Sequence, residues 1–333
     1  MVTSPGPARF DILGIGNAIV DVTAAVPDAF LSKHDMHKGA MALIDAAAAE
    51  RLYADMPPAT ESSGGSAANT CAVAALLGAK VAYLGRVAND TLGAVFRHDI
   101  TTVGVHYPTP PATDEEQRTA RCLILVTPDA QRTMNTFLGA CTTFGPNDVD
   151  PALVASARVT YLEGYLFDPP AAQAAFLKAA AAAHEAGRQV ALSLSDPFCV
   201  HRHRAAFRDL VARHVDILFA NEAEITALYE TNTLAEAAAC ARRDVSLAAI
   251  TMSEAGSTII KGGETFIIPA EPAQVLDTTG AGDAYAAGFL VALTAGKTLK
   301  QCGHLGSIAA AEVISHFGAR PQRDLTQEMR KLK

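Results

Sequence analysis

Six short runs constrain the fold most: FDILGIG (10–16), VAYLG (81–85), VTYLEG (159–164), QVALSLS (189–195), VDILFAN (215–221) and LAAITMS (247–253). Each is nearly continuous in apolar residues rather than alternating. A strand with one wet face alternates; a strand buried on both faces, as in a parallel sheet covered by helices, does not. Helical stretches lie between the runs. The clearest is PPAAQAAFLKAAAAAHEAG (169–187), with Pro170 near its start, many alanines and Gly187 as a stop. Phe176 and Leu177 are expected to give that helix a face to bury. The alternation predicts a doubly wound, mainly parallel α/β domain.

Two regions break the rhythm, residues 22–46 and 105–141. Both read as strand, turn, strand, with TPDAQ (127–131) as a hairpin turn. They are expected to form a small β-sheet lid over the mouth of a large domain made of 1–21, 47–104 and 142–333.

Composition excludes several classes of function. The formal net charge is −8, and no basic stretch is present to neutralise phosphates, so neither a nucleic acid nor a membrane surface is an expected partner. RRD (242–244) and RKLK (330–333) read as solvated helix faces. Six cysteines lie far apart and read as buried fillers of a reduced, cytoplasmic protein. The ten histidines form no HExxH pattern, and His201 and His203 are expected on opposite sides of a strand. The first residues lack the pattern of a secretory leader, and no apolar run reaches the ~18 residues of a membrane span.

The most informative stretch is DTTGAGDAYAAGFL (277–290). Glycines leave the backbone amides of Gly280, Ala281 and Gly282 bare, and a helix start carries partial positive charge, so an anion is stabilised there. Asp283, in the first turn, can take a proton from a hydroxyl attacking a phosphoryl group. The same residues also suit a helix with an acidic first turn and no ligand.

The whole string resembles the C-terminal motif of the ribokinase-like (PfkB) carbohydrate and nucleoside kinases. Three more stretches resemble that family's motifs, in its order: GGSAANTCAVAALLGAKVAYLGRVANDTLG (64–93), NEAE (221–224) and TMSEAGSTI (251–259). In the last, Ser253 stands where the family usually has glycine. Within the family, ILGIGNAIVDV (12–22), RTMNTFLGA (132–140) and EGYLFDPP (163–170) are most similar to adenosine kinases.

This resemblance implies an ATP-dependent kinase acting on the 5′-hydroxyl of adenosine, with a ribokinase-like fold. It implies a nucleoside site built from Asn17, Asp21, Gly64, Gly65, Ser66 and Asn69. Asp21 offers two acceptors to a ribose diol, and Asn69 can donate and accept. By their types alone, Asp21 also suits a strand-end turn and Asn69 an exposed helix position. Met41, Met134, Tyr165 and Phe167 are expected to flank adenine, or else to be plain core. Arg132 suits charge on the transferring phosphoryl group; a solvated hairpin-end arginine reads the same. ATP is expected near Asn221, Glu224, Thr251, Ser253, Gly256, Thr279 and the helix holding 304–316. Glu224 would organise Mg²⁺ through water, beside or instead of a capping role for Asn221. Asp277 and Thr279, with the loop SHFGARPQR (315–323), are expected to hold K⁺. Adenosine and ATP are the expected partners, on a monomer or homodimer. The alternatives are a PfkB-type kinase for a sugar or another nucleoside, and a non-catalytic nucleotide-binding regulator.

Overall fold

Each of the six apolar runs forms a strand of one sheet in the computed structural model, which describes residues 6–114 and 116–332. Residues 1–5, on which the expected lack of a leader partly rests, lie outside the described residues, as do Glu115 and Lys333. In chain order the strands are β1 (Phe10–Ile15), β2 (Ile19–Ala25), β3 (Met41–Leu43), β4 (Thr60–Gly64), β5 (Val81–Leu84), β6 (Ala120–Val126), β7 (Arg132–Phe137), β8 (Ala157–Glu163), β9 (Gln189–Ser193), β10 (Ile217–Asn221), β11 (Leu247–Thr251), β12 (Ser257–Lys261) and β13 (Glu264–Ile268).

The larger sheet has eight strands in the order β13-β12-β11-β10-β9-β8-β1-β5. The run from β11 to β5 is parallel, and β12 and β13 close one edge as an antiparallel hairpin. Continuous apolarity has the expected cause. On one face Ile12, Ile217 and Phe219 pack with Phe289 of the helix Ala281–Thr294; on the other Leu13, Leu218 and Ala220 pack with Phe176 of the helix Pro170–Glu185. The edge hairpin was not anticipated, although Gly262-Gly263 between two apolar stretches is a two-residue hairpin signal.

Two expectations need correction. Phe176 is fully buried but Leu177 is 45% exposed. Adjacent helix residues point about 100° apart, so the buried stripe runs through Ala172, Ala175, Phe176, Ala179 and Ala183 instead. His201 and His203 lie on the helix Pro197–His214, not on a strand. There His203 Nε2 meets Asp168 Oδ1 at 2.6 Å.

The smaller sheet has five strands in the order β3-β7-β6-β2-β4. Its β6–β7 hairpin turns through residues 127–131, with Ala130 at φ +64° and the Thr127 amide donating to Gln131 O at 3.0 Å. The sheet reaches beyond the stretches expected for it: β2 begins at Ile19, and Thr60–Gly64 forms the far edge. Alternation sorts its two faces. Val20, Val22, Leu123 and Leu125 share a back face, buried with Leu52, Phe96 and Ile100 of two helices. Register places Asp21, Cys122, Arg132, Met134 and Met41 on the front. The Thr136 hydroxyl donates to Cys122 Sγ at 3.4 Å on that same side. The chain first passes between the sheets at Gly16–Ala18, returns at Gly64–Ser66, and crosses twice more, between β5 and β6 and between β7 and β8. Among the described residues, no helix is long and apolar enough to cross a membrane.

Candidate active site

Two helix starts meet where the sheets adjoin. The helix Ser66–Leu76 begins after Gly65, and the helix Ala281–Thr294 begins after Gly280. Both glycines are required by the backbone. Gly65 sits at φ +97°, and a Cβ there would lie 2.0 Å from Asn17 O; Gly280 sits at φ +77°, and a Cβ would lie 2.7 Å from Ala319 Cβ. Asp283 stands in the first turn of its helix and accepts a 2.6 Å hydrogen bond from Ser66 Oγ. Asn69, one turn beyond Ser66, also donates its side chain to Asp283. Burial pushes the Asp283 carboxyl up to about 7, against these two hydrogen bonds and with the Asp21 charge adding to the rise. Asn69 is buried, not an exposed helix position.

The glycine turn differs in one respect from expectation. The Ala281 amide is already bonded to Thr278 O at 3.2 Å. The first-turn amides of Gly282 and Asp283 have no partner within the helix by its geometry. Gly282 faces open space: a Cβ there would meet nothing within 4 Å.

Asp21 lies mid-strand on β2, not at a strand end, beside Ser62 of β4. Its carboxylate covers Gly64, where a Cβ would come 2.3 Å from Oδ2. Burial raises the Asp21 carboxyl to about 6, while the guanidinium charges of Arg320 and Arg132 pull it down. Arg132 itself pairs with Asp277, and the amides of Thr279 and Gly318 donate to that same carboxylate at 3.0 and 3.4 Å. The loops expected to hold a monovalent cation therefore do adjoin, but a guanidinium supplies the counter-charge of Asp277. Arg320 bonds to Asp99 Oδ2 at 2.7 Å and to Ser63, tying the C-terminal loop to the edge of the smaller sheet.

Asn17 is turned inward and bonded to Glu163. Met41 and Met134 are register partners on the front of the smaller sheet, and Met41 is 51% exposed there. Tyr165 is partly exposed, and its amide donates to Ser195 Oγ at 3.2 Å. Phe167 does not join the site. It is buried against Phe207, with ring centroids 4.4 Å apart, and against Phe176. Of the two residues flanking Leu166, only Tyr165 keeps an open side.

The remaining residues end parallel strands of the larger sheet, the usual place for a ligand in an open α/β fold. Asn221 of β10 pairs in register with Thr251 of β11. Asn221 and Glu224 form a reciprocal helix cap, with Glu224 accepting from the Asn221 amide at 3.0 Å and side chain at 2.6 Å. Burial lifts Glu224 to about 7, helped by the charges of Asp196 and Asp283. In the turn after β11, Ser253 holds φ +50°, which explains why glycine suits that position. Gly256 follows at φ +90°, its Cβ direction blocked by Ile268 O at 2.1 Å.

The profile of the family described as pfkB family carbohydrate kinase matches residues 41–325, which hold both helix starts and every strand but β1 and β2. The chain belongs to this family. It is a phosphotransferase with an alcohol group as acceptor, in a family whose kinases use ATP and, as a rule, Mg²⁺. Over 98% of this chain and 100% of the other, it is 50% identical to an adenosine kinase from Sinorhizobium meliloti of solved structure, with a TM-score of 0.89. A probable sugar kinase from Rhizobium etli is 49% identical over 97% of this chain and 98% of its own, also with a TM-score of 0.89. Adenosine kinase of Saccharomyces cerevisiae is 29% identical over 91% of this chain and 94% of its own.

Two residues of this pfkB-family site escaped sequence reasoning in any role of their own. Glu163 ends the apolar run VTYLEG, and Arg320 lies in SHFGARPQR. A carboxylate closing an otherwise apolar strand was the available signal for Glu163, because such a group is rarely buried without partners.

Proposed function

We propose that the protein transfers the γ-phosphoryl group of ATP to the 5′-hydroxyl of adenosine, giving AMP and ADP. The observation that carries this reading is the convergence of Asp21 from the smaller sheet with Ser66, Asn69 and Asp283 at the two facing helix starts. The 50% identity to an adenosine kinase supports adenosine as the acceptor.

In this reading Asp21 accepts the ribose diol, Asn69 assists, and Gly64 and Gly65 let the sugar approach the backbone. Asn17 acts by shaping that approach. Met41, Met134 and Tyr165 flank the base. Asp283 accepts the 5′-hydroxyl proton while aligning the oxygen with phosphorus. A carboxyl titrating near 7 can take that proton and release it again at neutral pH. The bare amides around Gly282 and the Arg132 guanidinium stabilise the charge on the phosphoryl oxygens. The smaller sheet serves as a lid, and the Arg132–Asp277 and Arg320–Ser63 bonds between the two bodies fit a closed position.

ATP lies along Asn221, Thr251, Ser253, Gly256 and Thr279. The charges of Asp196 and Asp283 raise the affinity of Glu224 for protons, which fits a neighbouring dication; Glu224 would hold Mg²⁺ through water. When bound, Mg²⁺ neutralises charge on the β- and γ-phosphates. K⁺ would rest near the Asp277–Thr279 turn; comparing rates in potassium and in a bulky organic cation tests it. One chain supplies every named group, which supports an active monomer, and six free cysteines support a reduced, cytoplasmic setting.

The deciding experiment is ADP release with ATP and Mg²⁺ over a panel of adenosine, other nucleosides, ribose and fructose. Turnover of a sugar in preference to adenosine would instead match the similarity to the probable sugar kinase. Binding without turnover would mark a regulator.

A further inference from the structure

We propose that Glu163 is a positioning residue that pins the first two of the four passages of the chain between the two sheets with one carboxylate. The first passage, Gly16–Ala18, leads from β1 into β2 and so sets where Asp21 lies. The second, Gly64–Ser66, leads from β4 into the helix Ser66–Leu76 and so sets Ser66 and Asn69 against Asp283. Glu163 Oε1 accepts from the Asn17 amide at 3.3 Å and from Asn17 Nδ2 at 2.8 Å. Glu163 Oε2 accepts from the Ala67 amide at 2.7 Å. Each oxygen therefore serves a different passage.

Three further observations fit this pin. The helix Ser66–Leu76 starts at a glycine, which has no side chain to cap it; Glu163 supplies an acceptor to its first turn from a different strand. Gly16 admits the carboxylate, since a Cβ there would lie 2.3 Å from Glu163 Oε2. The two passages also touch each other, at Gly65 and Asn17 O. Glu163 is 1% exposed and, among the described residues, no ion pair to it is seen, so these N–H donors carry its compensation. Burial lifts its carboxyl to about 7, with the Asp283 charge contributing, so the pin lies within the field of the proposed proton acceptor.

The inference rests on Asp21 and Asp283 acting on the acceptor, and the test separates the two ideas. In Glu163→Gln the new amide group faces a backbone N–H on at least one side. Hydrogen exchange of the ligand-free protein over residues 13–18 and 64–70 reads the pin without any substrate. Both segments should lose protection together, and kcat/KM for adenosine should fall about ten- to a hundredfold, with KM for ATP held within about twofold. If Glu163→Gln does not fold, Asn17→Ala replaces it: this variant should loosen 13–18 and leave 64–70 protected. Unchanged exchange at both passages overturns the pin. So does a lower melting temperature with normal kinetics per folded molecule, which is what packing alone would produce. If wild-type protein fails to use adenosine but the exchange result holds, the functional reading fails and the pin stands.

Discussion

Ser66 Oγ donates a 2.6 Å hydrogen bond to Asp283 Oδ1, joining residues 217 positions apart in the chain. One is the first residue of its helix and the other lies in the first turn of another, so two positive helix ends converge on a single carboxylate. That arrangement sets the expected anion-binding turn and the proposed proton acceptor in one place before any substrate arrives.

Asp283→Asn keeps the shape of the side chain and removes the base. Turnover should fall by about 10²–10⁴-fold while KM for adenosine stays within a few-fold. Steady-state kinetics on the folded variant decide it, and near-normal turnover would leave the turn as a cap and anion site only.

Asp21→Ala removes a charged acceptor at the expected ribose. The specificity constant for adenosine should drop about ten- to a hundredfold, and ATP affinity should hold. An unchanged specificity constant would remove Asp21 from the site.

The two glycines of the turn should respond differently. Gly282→Ala places a Cβ in open space, so the variant should fold with wild-type stability yet lose most of its turnover, since that space is where phosphate is expected. Gly280→Ala forces a Cβ onto Ala319 at positive φ and should unfold at lower temperature. Equal melting temperatures for the two variants would contradict this account.

Stability should depend on pH through Asp283. Its folded carboxyl binds a proton more tightly than an unfolded one, with a value of about 7 against the usual 3.8. The stability it contributes is complete below about 4 and is lost as pH rises toward 7. Denaturant melts at pH 5.5 and 8 should therefore show Asp283→Asn gaining on wild type at the higher pH. A constant difference between the two proteins would refute the raised value.

Arg132→Ala should lower kcat about 10²–10³-fold if the guanidinium meets the transferring phosphoryl group. It should also leave Asp277 without its counter-charge. Restoration of rate by added guanidinium ion is the check that separates lost charge from a misplaced lid.

The local chemistry of the chain determined a great deal. Continuous apolarity in runs such as VDILFAN can be satisfied only by burial on both faces, so the parallel sheet was legible. The GAGD turn was legible because positive φ and bare amides demand glycine. What the sequence could not decide is which surfaces meet. Leu177 and Phe176 are equally apolar in one dimension, but a helix turns them apart. Phe167 looks as fit for a base as Tyr165 until β8 delivers it into the Phe176–Phe207 core. Thr60–Gly64, too polar to announce a strand, joins the smaller sheet because β2 offers it an open edge. Glu163 is the sharpest case: its meaning lies in the amides of Asn17 and Ala67, 146 and 96 residues away. Such contacts exist only after the chain has folded, because a buried carboxylate is tolerable only where the tertiary structure has gathered donors around it.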